Sequence, residues 1–115
     1  MKTSELTNAA LNWAVAKCED GVNIDASGLP WLPDESPNEH GEAVWFKPST
    51  DWAQAGPIIE REKITLYWNE KNKHWSGYGY SETYIEAGSS PLIAAMRCFV
   101  ASKFGDEVEI PKELS

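Results

Sequence analysis

The chain has 115 residues, with 10 Lys and Arg against 18 Asp and Glu, a formal charge of −8. That length suits one domain spanning residues 1–115, and 42% apolar with 24% charged residues rules out a disordered tail. The acidic balance argues against direct nucleic-acid binding, which needs clustered Lys and Arg, and against docking on an anionic membrane.

The N-terminal stretch MKTSELTNAALNWAVAKCED predicts a helix. Ser4 is its expected N-cap, Glu5 suits the positive end of the dipole, and Leu6, Ala10, Trp13 and Ala14 recur at helical spacing with Leu11, Val15 and Cys18 beside them. Gly21 is the expected stop. The stretch lacks an apolar run followed by a small-residue cleavage site, so it does not read as a signal peptide, and no run of 18 apolar residues predicts a membrane span.

Residues 22–47 read as a long Pro-rich loop. Five of the seven prolines fall at Pro30, Pro33, Pro37, Pro48 and Pro57, with Gly28 and Gly41 as further breaks. A loop of this length inside a domain is usually functional. Leu29, Trp31, Leu32, Val44, Trp45 and Phe46 suggest that it packs back on the body, with a short strand near residues 43–47.

In PSTDWAQAGPIIERE, Ser49 or Thr50 can cap a helix starting at Asp51. Pro57 lacks an N–H and its ring crowds the carbonyl of residue 53, so a kink is expected there. Alternation over Lys63–Trp68, a polar connection at 69–73, HWSGYGY at 74–80 and a third run at 82–87 predict three antiparallel strands. Ser90 followed by Pro91 opens the last helix, whose stripe runs through Leu92, Ala95, Met96, Phe99 and Val100 to Gly105. The tail, residues 106–115, can pair Val108 and Ile110 against the sheet or fray. The expected fold is α+β: an antiparallel β-meander of three or four strands packed with two or three helices, ordered helix, long loop, kinked helix, three strands, helix.

No nucleophile elbow, P-loop, dinucleotide fingerprint or HExxH is present, so no catalytic residue, metal ligand or cofactor is assigned. His40 and His74 read as surface residues, and Cys18 and Cys98 as reduced, buried thiols. Arg61 is flanked by Glu60 and Glu62, which predicts surface ion pairs, while Arg97 beside the last apolar stripe predicts a salt bridge or cap at the core's edge. Asp34, Glu35 and the acidic residues of 39–42 read as a solubilising stretch.

Six tryptophans are the strongest compositional signal. Trp13, Trp52 and Trp68 fall in periodic elements and read as core, whereas Trp31 and Trp45 in the loop fit either core or a recognition surface. If the surplus rings bind something, Trp31, Trp45 and Trp52 are the stacking candidates, with Ser49, Thr50, Asp51 and Arg61 beside them. Ser49, Thr50, Arg61 or a helix N-terminus would then hold a phosphate. A sheet edge with exposed rings also suits a symmetric dimer, which the sequence does not require.

The opening 20 residues, PSTDWAQAGPIIERE with the start of the first strand, and SPLIAAMRCFVASKFGDEVEIP together resemble the NinX-type family of small tailed-phage and prophage proteins. The family commonly has Gly at the place of Ala55, and residues 22–47 and 67–88 are not part of the resemblance. The resemblance implies a phage-encoded accessory protein in the cytoplasm of the host bacterium. It brings no catalytic residues. By analogy with small phage proteins it implies action by binding a host or anti-phage-defence macromolecule, or by sequestering a signalling nucleotide.

Overall fold

The computed structural model describes residues 1–19, 22–24, 28–32, 44–79 and 85–114. Three helices and two antiparallel sheets make up the α+β fold: α1 (Asn8–Cys18), β1 (Asn23–Ile24), β2 (Pro30–Leu32), β3 (Val44–Trp45), α2 (Trp52–Glu62), β4 (Thr65–Asn69), β5 (His74–Tyr78), β6 (Ile85–Gly88) and α3 (Pro91–Phe104).

The helix α3 is the centre of the core. Ser90 caps it, its Oγ accepting the Ile93 N–H at 3.2 Å, and Gly105 closes it in left-handed backbone. Leu92, Ala94, Ala95, Met96, Cys98, Phe99, Val100 and Ala101 are all buried, so the helix is covered on nearly every side. The sheet β4–β5–β6 packs against it, as do α1 and α2. Small residues bring the sheet very close. A Cβ added to Gly88 would lie 2.6 Å from the Ala94 backbone nitrogen, so only glycine fits there. Leu11, Ala14 and Val15 of α1, Ala55 and Ile58 of α2, and Leu6, Phe46, Ile64 and Val108 complete the buried cluster.

The meander has the expected order, with Trp68 opposite Trp75 and Tyr67 opposite Ser76. Its third strand is Ile85–Gly88, later than the 82–87 expected, and residues 80–84 lie outside the described residues. The helix α2 runs through Pro57 without a break. Ala53 and Pro57 are both exposed residues, so the proline stands on the solvent side of the helix. Lys63, in left-handed backbone, ends α2, and the Ile64 N–H reaches back to the Ile59 carbonyl at 3.0 Å.

Four expectations are corrected. First, Ser4 does not cap α1. Residues Thr3–Glu5 form a separate 3-10 turn because Thr3 is drawn to the far end of the chain: its N–H donates to Asp106 O at 2.8 Å and its Oγ1 to Gly105 O at 2.7 Å. The helix starts only at Asn8, in left-handed backbone that Asn tolerates. Second, the span 22–47 is not wholly irregular. Strands β1, β2 and β3 form a small antiparallel sheet, with Trp31 opposite both Asn23 and Trp45. Pro30 opens the middle strand, where its missing N–H costs least, and its carbonyl accepts the Phe46 N–H at 3.0 Å. Residues 33–43, with His40 and the acidic stretch, lie outside the described residues, as does the expected stop Gly21.

Third, the tail pairs with the start of the chain instead of the sheet. Met1 and Val108 exchange two hydrogen bonds of 3.0 Å, and Lys2 and Glu107 form an antiparallel bridge. Fourth, two tryptophans read as core are exposed. Trp52, at the first position of α2, is 57% exposed, and Trp68 is 45% exposed, with its edge against Trp75 and its Nε1–H donating to Glu70 at 2.6 Å. Trp13 is partly buried against the core, as expected. Arg97 sits at the core's edge, its guanidinium donating to Leu6 O at 2.8 Å and Ala87 O at 2.6 Å, so it ties α3 to the N-terminal segment and to β6.

Candidate binding cleft

The Lys47–Asp51 segment leaves β3 and turns into α2. The N–H groups of Thr50 and Asp51 both reach the Lys47 carbonyl, at 3.1 and 3.0 Å, closing a tight turn over the buried Pro48. Asp51 is the N-cap of α2, its Oδ1 accepting the Ala53 N–H at 2.9 Å. Gln54, one turn on, reaches back twice: Oε1 accepts the Lys47 N–H at 2.6 Å and Nε2 donates to the Trp45 carbonyl at 2.8 Å. From α1, Asn12 Oδ1 accepts the Ser49 N–H at 3.0 Å. The first turn of one helix and the middle of another therefore fix the backbone that carries Trp45 and Ser49.

Between these segments and the start of α1 opens a cleft of about 430 Å³. Asn8, Ala9 and Asn12 form one wall, and Leu29 and Pro30 with Trp45 and Phe46 form the apolar remainder. Lys47, Ser49 and Thr50 complete the lining. Trp45 is 47% exposed and Leu29 is also exposed, so the mouth is apolar. Ser49 is only 3% exposed, and its Oγ is buried with no hydrogen-bond partner among the described residues. A buried hydroxyl without a partner carries a desolvation cost, which makes this atom unusual in the fold.

Of the seven residues singled out in the sequence, three line this cleft: Trp45, Ser49 and Thr50. Trp31 faces Trp45 across the β2–β3 pair, and Asp51 and Trp52 follow the turn, but none of these three belongs to the lining. Arg61 is elsewhere, nine residues along α2, or roughly 14 Å at 1.5 Å per residue. There its guanidinium is held by the carboxylates of Glu19 and Glu62 and lies over the Phe99 ring at 5.5 Å. Hydrogen bonds donated to both carboxylates push its pKa further up. Lys103 is 5.8 Å from the same ring and 4.0 Å from Glu62. This cluster fastens α2 to α3 and to the end of α1; it has no free guanidinium to offer a phosphate. The Cys18 thiol beside it is pushed up to about 11 by burial, as is that of Cys98, so neither is a thiolate at neutral pH. Among the described residues no group of His, Cys, Asp or Glu side chains gathers as metal ligands.

Asn8, Asn12 and Gln54 were not legible as site residues. Asn8 and Asn12 lie in α1 and come to the cleft only through the tertiary fold. The signal for Gln54 was local: it stands one turn after the cap residue Asp51, close enough to reach back.

The family model described as "Bacteriophage P22, NinX" matches residues 2–103. The chain belongs to the NinX family. The match spans every residue that lines the cleft and takes in residues 22–47 and 67–88, which the resemblance of three shorter stretches had left out. No curated protein matches the chain. No helix among the described residues is long and apolar enough to cross a membrane.

Proposed function

We propose that this NinX-family phage protein acts as an accessory protein by binding rather than by catalysis, and that its target is a host or anti-phage-defence protein. The observation that carries this reading is the pair of indoles on either side of the 47–51 turn, Trp45 at 47% and Trp52 at 57% exposure. Rigidly held, half-exposed tryptophans are what protein interfaces use as anchors. The backbone under Trp45 is pinned by Gln54, so its ring is presented at low entropic cost. The formal charge of −8 speeds encounter with a basic partner. The protein works in the cytoplasm of the infected bacterium.

The test is affinity capture from infected host cells with the wild-type chain and a Trp45→Ala/Trp52→Ala variant. The expected result is a host or defence protein whose recovery falls by about 30-fold or more in the variant, the effect of truncating an anchor worth about 2 kcal/mol. If every captured protein is recovered equally by both chains, the reading is wrong.

A second reading, that the cleft sequesters a nucleotide, is favoured by one specific observation: the buried Ser49 hydroxyl without a partner lies on its lining.

A further inference from the structure

We propose that the cleft is a site for a planar heterocycle carrying a single acidic group, of the chemical class of a nucleoside monophosphate. The proposal rests on the second reading above and narrows it to one charge and one ring.

The ring half follows from the walls. Trp45 stands half exposed at the mouth, and Leu29 and Pro30 lie on the same lining, so a flat ring finds an indole face and aliphatic surface together. The cleft, about 430 Å³, is in the size range of small-molecule sites.

The acid half follows from charge and donors. Among the described residues, Lys47 is the one charged residue on the lining, and none of them contributes a carboxylate. In a chain of charge −8, a described lining of charge +1 is a local reversal. Two cavities elsewhere do not share this excess of positive charge: in one Glu19 and Glu62 balance Arg61 and Lys103, and in another Glu86, Asp106 and Glu107 outweigh Lys2. The wall formed by Asn8 and Ala9 is also the first turn of α1, whose N-cap residue Thr7 makes no side-chain cap hydrogen bond. Its leading N–H groups and the positive end of its dipole therefore remain for an anion. The start of α2 is not equivalent, because the Asp51 carboxylate already fills that place.

Ser49 joins the two halves. Its Oγ is the one buried side-chain polar atom without a partner among the described residues, and it lies on this lining. A hydroxyl donates to a phosphate oxygen as readily as it accepts from an N–H. Asn12, whose Oδ1 is occupied by the Ser49 N–H, adds two amide N–H donors. One lysine, one helix start and one hydroxyl match one acidic group. A second and third phosphate would meet no further cation, because Arg61 is engaged with Glu19 and Glu62.

The experiment is calorimetric titration of the full chain with four sets of probes: adenosine, guanosine, cytidine and uridine; their 5′-monophosphates; their 5′-triphosphates; and inorganic phosphate. The expected result is at least one monophosphate that binds about ten-fold or more tightly than its nucleoside, with the triphosphate no tighter and phosphate alone far weaker. Lys47→Ala and Ser49→Ala should each bring the monophosphate down towards its nucleoside and leave nucleoside binding in place. Ser49→Ala should also melt at the same or a higher temperature, because it removes a hydroxyl the fold does not use. A fall in melting temperature would show that the hydroxyl is structural and overturn its role here. If a nucleoside binds as tightly as its monophosphate, or the triphosphate binds tightest, the single-acid assignment is wrong while the small-molecule reading stands. If no probe binds, both fall.

Discussion

Gln54 does more for the cleft than any residue the sequence singled out. Its carboxamide accepts from the Lys47 N–H and donates to the Trp45 carbonyl, which an uncharged amide can do at once and a carboxylate cannot. Gln54→Ala should lower the stability of folding by about 1–2 kcal/mol, the net worth of two exposed hydrogen bonds. Gln54→Glu should not rescue it, since a carboxylate has no donor for the Trp45 carbonyl; urea denaturation of the two variants checks this. Glu86 allows a pH prediction. Burial raises its pKa, against the pull of Arg97 and with a smaller push from Asp106. The folded state thus holds this proton more tightly than the unfolded chain, and stability falls as pH rises through the folded value. Glu86→Gln should therefore melt higher than the wild type at pH 7, and the gap should close below the ordinary carboxylate range of about 4.3. A gap that widens in acid would contradict the assignment. At this scale the sequence was legible where chemistry is local, as with Ser90 capping α3 or Glu62 pairing with Arg61. It was silent where a partner lies far along the chain, as Asn12 does from Ser49.

Among the elements, α2, α3 and the β4–β5–β6 meander were readable because each carries its own periodicity over several residues. The small β1–β2–β3 sheet was not. Its strands are two or three residues long and one opens on Pro30, too short for alternation to register. Periodicity also placed Trp52 and Trp68 on apolar stripes without showing where the neighbouring element ends, and both rings stand exposed. That error bears on the site, since Trp52 counts among the proposed anchors because it is outside. Among the described glycines, the closest approach is at Gly88, between β6 and α3. Gly88→Ala would press a methyl group against the Ala94 backbone nitrogen and Ile93, and should cost about 1–3 kcal/mol. Gly77→Ala meets mainly the end of the flexible Leu66 side chain, at 3.0 Å, and should cost less. Thermal melting of the two variants side by side tests the order.

For the molecule as a whole, the two ends of the described chain are bound together. Thr3 is fully buried, its hydroxyl on Gly105 O and its N–H on Asp106 O, and Val108 lies on Met1. Thr3→Val keeps the shape but leaves the Gly105 carbonyl without this donor, at an expected cost of about 1–3 kcal/mol in equilibrium unfolding. Thr3→Ser, which keeps the hydroxyl, should lose less. The pairing was half visible in the sequence: Val108 and Ile110 announced a short extended segment, but nothing local names a partner 107 positions away. It also sets a timetable for synthesis. As the ribosome delivers the chain, the opening residues emerge first and find no mate until the last turn of α3 has cleared the exit tunnel. Closure of the fold is therefore a late event, and a nascent chain stalled anywhere before Gly105 should leave its leading segment open to proteolysis.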